Sequence, residues 1–461
     1  MKPRIVFLHY HGIGHINQCL PLASILENEN YEVHFAGVGF FSHYVLTQGF
    51  SHYALKSVPF GLGFETWMNT VEKKKNIYLY SLHDRITDRL YRLRYAELLR
   101  MLDDIKPEII LIDATQPTDF IILYSYLKLN NIKVGVIHAM SPTHVIPGRP
   151  PVNSFAFPED EKNVLNAIRN MKRQKKKKAW TQKAKFLFFD DQYIINRRLK
   201  KNKIPLFYCS ATPSLFNFTI QNVNEFVLAP REFDFPDFKV EPMQHYIGFM
   251  IYRQRNDLPD PEYIKTKEMI HSQKAAQNAK LIYCSFGTIE SDHKEIILSF
   301  LNKLINIAIR QNYLLIISMK AQSANRYQLD KGGHVYFFKS VPQVEVLSHA
   351  DLFITHGGLS SIKESIDAEV PMLMYPVHAD FDPMGNSARV VYHGMGLRGD
   401  AENDTETEVQ SKITELLTNP IFKEKVLEMK RKNAGYTAEN FMKIFKTLSP
   451  LESNPGSSSK G

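Results

Sequence analysis

The sequence predicts an α/β protein of two halves, each a parallel sheet wound on both faces by helices, and three observations lead there. Short, nearly continuous apolar runs alternate with helical spacing from Arg4 onward, and a second such series starts near Lys280. Between them, Pro230, Pro236, Pro242, Pro259 and Pro261 punctuate an aromatic stretch without a period, the mark of a linker. Parallel strands covered on both faces read as apolar runs, and strand–helix alternation is the pattern of a doubly wound sheet. At roughly 150 residues per domain, the 461 residues accommodate two large domains.

The elements follow in order. Arg-Ile-Val-Phe-Leu-His from Arg4 to His9 is the first strand, Gly12 and Gly14 form a turn, and Leu20, Ala23, Ser24 and Glu27 follow helical spacing before a strand from Tyr31 to Val38. Pro107 to Asp113 is an apolar strand ending in an acid, and Lys133 to His138 is one ending in a histidine. In the second series, Leu281 to Gly287 is a strand running into a glycine turn. Strands are expected at Tyr313 to Ser318, Val335 to Phe338, Leu352 to Thr355 and Met372 to Tyr375, with helices from about Thr407 to Leu448. The expected divisions are a first domain over residues 1–230, a second over 231–435, a closing helix over 436–450 and a disordered tail over 451–461, with the hinge near 225–260. Two Rossmann-like halves of this kind bind ligands at the carboxyl ends of their strands, so the reacting groups should come from both sides of a cleft.

Composition narrows the classes. The chain is 44% hydrophobic and 23% charged, ordinary for a protein with sizeable cores. No apolar run approaches the roughly 18 to 20 residues that cross a bilayer, and Met1 to Leu22 carries three histidines where a signal peptide is greasy, so a cytoplasmic protein is expected. Cys19, Cys209 and Cys284 offer neither a disulfide framework nor a metal knuckle, which fits a reducing compartment. Six of the nine net positive charges fall between Lys172 and Lys178. No aromatic stacking platform interleaves them, so a nucleic-acid partner is not expected. The run reads as a solvated, mobile loop, or, beside Trp180 and Phe186 to Phe189, as a peripheral contact with an anionic membrane.

The densest chemistry is Thr355-His-Gly-Gly-Leu-Ser-Ser-Ile-Lys-Glu364, between a strand and an apolar helical pattern. The glycine pair allows close backbone approach, and Ser360 and Ser361 fall in the first turn, where free N–H groups and the helix dipole attract a pyrophosphate. His356 adds a donor, and Glu364, one turn deeper, can accept from two ribose hydroxyls. A serine-capped turn with a surface glutamate is the bland alternative.

The stretch Ser340 to Glu364, continued by Val370-Pro-Met-Leu-Met-Tyr-Pro376 to Asp382 and Asn386, resembles the donor-binding signature of the UDP-dependent glycosyltransferases. These are inverting, two-domain GT-B enzymes of the plant natural-product and macrolide type. The resemblance implies that the backbone around Val341 and Gln343 holds the uracil and Glu364 the ribose. It assigns the diphosphate to His356, Gly358, Ser360 and Ser361, with Thr288 nearby as a small hydroxyl. The family usually has a tryptophan where this chain has Ser340, and its sugar-reading Asp-Gln pair appears here as Asp380-Phe381 or Asp382-Pro383, without the glutamine. The resemblance thus implies a hexose donor, with glucose expected but weakly specified. The UDP-sugar is a co-substrate, and no cofactor is implied.

In the first half, Gly14-His-Ile-Asn-Gln-Cys-Leu-Pro21 is similar to the family's Gly-His-x-x-Pro opening with a longer gap. His15 would be the general base, since a histidine in a turn after a strand is poised to take a proton from an acceptor hydroxyl. Asp113, ending another strand, can accept its other ring N–H and fix the tautomer. His9, His11 and His15 have metal-like spacing, but a strand ending in a turn does not aim three rings at one point. Asp380-Phe-Asp382 imitates the motif of metal-dependent transferases, yet it lies inside the diphosphate signature, so no metal is expected. Gly12-x-Gly14 lacks the third glycine of a dinucleotide fingerprint.

The acceptor side should draw on Phe60, Phe64 and Trp67 from one apolar loop and on Met140 and His144 from another, although both loops also read as ordinary packing. Their rings and methionine favour a lipophilic or flat acceptor such as a polyphenol, terpenoid or carotenoid. The alternatives are a UDP-sugar 2-epimerase-like enzyme and a UDP-sugar-binding partner subunit without turnover.

Overall fold

The computed structural model describes residues 2–236, 238–287, 294–319, 333–377 and 381–452. Seven parallel strands make the first sheet: β1 Arg4–Leu8, β2 Glu32–Val38, β3 Ser51–Leu55, β4 Ile109–Asp113, β5 Lys133–His138, β6 Asn224–Val227 and β7 Gln244–Tyr246, in the order β3-β2-β1-β4-β5-β6-β7. Six parallel strands make the second: β8 Leu281–Ser285, β9 Leu314–Ser318, β10 Val335–Phe338, β11 Leu352–Thr355, β12 Met372–Met374 and β13 Gly396–Arg398, ordered β10-β9-β8-β11-β12-β13.

Period-two alternation explains why each strand reads as wholly apolar. In β1, Ile5 and Phe7 join one core layer, while Val6 and Leu8 join the layer on the other face. In β8, Leu281 and Tyr283 face one layer and Ile282 and Cys284 the other. Burial on two faces leaves no room for polar side chains within these strands.

The order reverses between β1 and β4 in the first sheet and between β8 and β11 in the second. At such switch points the loops after adjacent strands diverge, opening a crevice beyond their carboxyl ends. These positions belong to Tyr10–His15 and Asp113 on one side and to Gly287 and His356–Gly358 on the other.

Three features bear on the expected divisions. β7 lies past residue 230 yet pairs with β6, Glu225 opposite Gln244 and Val227 opposite Tyr246. Its three residues Gln-His-Tyr carry no apolar period, so the strand is silent in the sequence. The helix Ala438–Phe445 returns to the first sheet, where Phe441 and Phe445 pack on Phe226. Leu451 is buried in a core layer and Glu452 N–H donates to Tyr208 Oη at 2.9 Å, so the packed chain runs two residues into the expected tail; residues 453–461 lie outside the described residues.

The halves are joined by buried charge. Asp234 accepts from Arg389 Nε and Nη2 at 2.9 and 2.6 Å and faces Arg149 Nη1 at 3.5 Å. Gly385 N–H donates to Val152 carbonyl oxygen at 3.0 Å; a Cβ on Gly385 would stand 2.1 Å from that oxygen, so only glycine fits.

Candidate active site

A cleft of about 1360 Å³ lies between the two sheets. The helix Ile13–Asn28 opens on it, with Gly12 as the N-cap in extended conformation and His15 in the first turn. His15 Nδ1 donates to Asp113 Oδ2 at 2.7 Å across the β1/β4 switch point. Asp113 Oδ1 accepts from Thr115 N–H at 2.9 Å and Thr115 Oγ1 at 2.6 Å, so the carboxylate is held on both oxygens. Asp113 is buried, while His15 retains access to the cleft. Burial disfavours the charged ring, but the Asp113 carboxylate outweighs it by charge and hydrogen bond and holds His15 above its ordinary value. Burial likewise pushes Asp113 up, yet His15 and the Thr115 donors bring it below the usual carboxylate value. With Nδ1–H committed to Asp113, Nε2 is left as the acceptor toward the cleft.

On the facing wall, the helix Leu359–Asp367 begins at Gly358 as N-cap, with Gly357 at φ +95°. A Cβ at Gly357 would come within 3.0 Å of Pro383 carbonyl oxygen, and one at Gly287 within 2.9 Å of the His356 ring. The glycines therefore let His356 fold over the helix start. Ser360 Oγ donates to Gly14 carbonyl oxygen at 3.1 Å, so the first turns of two helices from different halves meet at one spot. Both positive helix ends point into the same space.

Glu364 is buried and already engaged. Arg255 Nη1 donates to its Oε1 at 2.6 Å, and Gln343 Nε2 donates to its Oε2 at 2.9 Å. Asp257 holds the other edge of Arg255, accepting Nε at 2.7 Å and Nη2 at 3.0 Å. Val341 and Ser361 line the cleft beside this group. Asp382 reaches across, its Oδ2 accepting from Asn386 Nδ2 at 2.9 Å and from Ser141 N–H of the first half at 3.4 Å. Burial raises its pKa, offset in part by the Asn386 bond. Thr288 and Asp380 lie outside the described residues.

The acceptor candidates divide. Phe64 and Met140 line the cleft; Phe60, Trp67 and His144 do not. Phe60 is buried and packs edge-on against Tyr91 in the core, and Gly61 after it takes φ +69°. Trp67 is half-exposed and stacks on His11 away from the cleft. His144 Nε2 bonds Thr219 Oγ1 at 3.0 Å, and burial lowers its pKa to about 4. The three N-terminal histidines diverge: His9 faces His52 at 3.2 Å, His11 lies against Phe64, and His15 meets Asp113.

The basic run is helical rather than a loop, within Glu161–Lys185. Met171, Lys175, Lys178, Gln182 and Lys185 recur at helical spacing on the cleft face. Lys175 Nζ donates to the carbonyls of Ser214 and Phe216 at 2.8 and 2.6 Å and so ties this helix to the neighbouring loop.

Sequence reasoning missed Arg255 and Asp257, hidden in the aromatic linker. The visible signal is a compact charged cluster, Arg253-Gln-Arg-Asn-Asp257, directly after the apolar run Ile247 to Tyr252. It also missed Ser141 and Asn386 as the partners of Asp382.

Residues 225–433 match the family model for UDP-glucoronosyl and UDP-glucosyl transferase. This segment, somewhat under half of the chain, is similar to the UDP-dependent glycosyltransferases. Among curated relatives, the UDP-glucuronosyltransferase of Pleuronectes platessa is 37% identical over 98 residues, 21% of this chain and 20% of that protein. The myricetin 3-O-rhamnoside 1,2-glucosyltransferase of Crocosmia x crocosmiiflora is 33% identical over 105 residues, 22% of each. The zeaxanthin glucosyltransferase of Pantoea ananas is 31% identical over 102 residues, 22% of this chain and 23% of that protein. The matched stretches thus span about a fifth of these relatives' length. Over the whole chain, the glycosyltransferase of kitacinnamycin superposes with a TM-score of 0.65 at 18% identity, covering 96% of this chain and 98% of that one. The calicheamicin glycosyltransferase does so with a TM-score of 0.59 at 15% identity, covering 97% and 98%. The two sheets thus form the GT-B fold shared by these glycosyltransferases.

Proposed function

We propose that the protein transfers a hexose, glucose foremost, from a UDP-sugar to a hydroxyl of a small lipophilic or aromatic acceptor, with inversion at the anomeric carbon. The observation that carries this reading is the oriented His15–Asp113 pair facing the start of the helix Leu359–Asp367 across the cleft. The acceptor oxygen attacks the anomeric carbon from the side opposite UDP, its proton passes to His15 Nε2, and the bond from the anomeric carbon to the diphosphate oxygen breaks. Charge on departing UDP is met by the two helix starts and His356, a preorganised stabilisation that leaves no role for a metal. Glu364, with Arg255 and Gln343 already on it, would share its carboxylate with the ribose, while Val341 and Gln343 flank the base.

Phe64 and Met140 bound the acceptor side opposite the lysine-bearing cleft face of the helix Glu161–Lys185, and the apolar surface of these two side chains supports a polyphenol, terpenoid or carotenoid. No helix of the described residues is long and apolar enough to cross a membrane. A cytoplasmic setting is part of the proposal, supported by three free cysteines. Incubation with UDP-glucose and a panel of lipophilic phenols and alcohols tests it: a β-glycoside from the α-linked donor supports the reading. Interconversion of UDP-N-acetylglucosamine without acceptor would select an epimerase, and UDP binding without turnover a partner subunit.

A further inference from the structure

At one rim of the cleft, large apolar side chains stand in solvent among lysines. The helix Ile77–Thr87 opens with Tyr78, Leu79 and Tyr80, of which Leu79 is 56% exposed. Tyr78 Oη donates to Lys185 carbonyl oxygen at 2.6 Å and its ring stacks on Phe186, which joins this helix to the end of Glu161–Lys185. Directly after come Leu187 and Phe188, 60% and 69% exposed, with φ of +48° and +68°. A bulky residue in left-handed backbone is an outlier. Here two in succession hold apolar side chains outward, where solvation is a cost. Phe188 N–H donates to Lys183 carbonyl oxygen at 2.9 Å, so the left-handed turn closes the basic helix, and it leaves both apolar side chains in solvent, an exposure that a binding role would use.

The surrounding charge says what that role serves. Lys74, Lys183 and Lys185 lie over the rings of Tyr80, Trp180 and Phe186 at 5.2, 5.6 and 5.2 Å. The nearby acids are already paired: Glu72 with Arg89 and Lys74, Asp191 with Arg85, and Asp190 with Lys183 and the first turn of the following helix. A second copy of the chain would bring these cations against one another. Single-stranded nucleic acid would use the rings but has nothing for Leu79 and Leu187. An anionic bilayer uses both, hydrocarbon for the apolar tips and lipid phosphates for the lysines.

We propose that this rim docks on an anionic membrane surface, with Leu187 and Phe188 entering the boundary between headgroups and acyl chains. The docking element is the turn at the end of the basic helix rather than the run Lys172–Lys178, whose Lys175 is tied inward. Lys185 and Phe186 also line the cleft, so the acceptor mouth opens beside the docked surface. Supply of a lipophilic acceptor from the bilayer rests on the function proposed above; docking itself does not.

Sedimentation of the full chain with phosphatidylcholine vesicles, with and without about a third phosphatidylglycerol, tests this. The anionic vesicles should bind at least about tenfold more tightly and release the protein in high salt. The double variant Leu187→Asn/Phe188→Asn should lose about tenfold or more of that binding. Asparagine tolerates left-handed backbone, so melting temperature and turnover of a water-soluble acceptor should be retained. Absent binding to anionic vesicles, unchanged binding by the variant, preference for a single-stranded oligonucleotide, or dimers that the variant dissociates would each overturn the proposal. Turnover of the soluble acceptor is a separate readout, so failure of docking and failure of the transferase reading are distinguishable.

Discussion

Arg255 Nη1 stands 2.6 Å from Glu364 Oε1, so this acid of the cleft wall is held by a guanidinium from the segment linking the two sheets. On the proposed function, this contact couples donor binding to the linker. Glu364→Ala should weaken UDP binding by about 1–3 kcal/mol, the range for lost hydrogen bonds to a charged group. It also leaves the buried Arg255 with Asp257 alone, so melting temperature should fall, and restoring the balance with Arg255→Met in the same chain should recover part of it. Calorimetry with UDP and thermal denaturation check both; unchanged UDP affinity would remove Glu364 from the donor site.

The His15–Asp113 pair sets a pH dependence. A base must be unprotonated, so kcat/KM should rise with pH through a His15 pKa above the ordinary 6.5. Asp113→Asn removes the charge that holds the proton while burial remains, so this acid limb should shift to lower pH and the plateau should drop.

The same pair makes a stability prediction with a definite sign. The raised His15 pKa contributes stability in full below 6.5 and loses it as pH rises through the folded value. The depressed Asp113 pKa contributes above its ordinary 3.8 and loses it as pH falls through the folded value. The melting-temperature gap between wild type and Asp113→Asn should therefore be widest between about pH 4 and 6.5 and narrow on either side.

Activity should persist in excess EDTA, because two helix starts and His356 meet the leaving diphosphate. Loss restored by manganese would instead make Asp382 a metal ligand.

Much of this was legible before the structure. Runs such as Ile5–Leu8 and Leu281–Ser285 are apolar throughout because both faces are covered, and the Gly-rich motif at His356 lies after a strand, where a switch point must be. β7 was not legible, since three residues at the end of a sheet need no apolar period. The expectation that Phe60 lines the cleft fails because an apolar loop pattern does not reveal which of its rings packs on Tyr91 in the core. The Lys172–Lys178 run read as a loop for lack of visible apolar spacing; its helix is anchored by Met171 and by the carbonyls that hold Lys175, both tertiary contacts. The charged cluster around Arg255 is visible in the sequence, but its pairing with Glu364, 109 residues away, is not.

Donor choice should be loose. Asp382 can accept from sugar hydroxyls, but Pro383 offers no amide donor, so fewer buried polar groups are stranded by the wrong hexose. In competition among UDP-glucose, UDP-galactose and UDP-N-acetylglucosamine, a second donor should reach within about one to two orders of magnitude of the best catalytic efficiency. Strict use of a single donor would mean that another residue supplies the missing contact.

The most direct test of the central claim is turnover of UDP-glucose and an active acceptor by His15→Ala, measured beside its UDP affinity. The geometry predicts a loss of about two to four orders of magnitude in turnover with UDP affinity nearly unchanged, because the base and the donor wall belong to different halves of the cleft. Near-normal turnover by His15→Ala across several acceptors would contradict it.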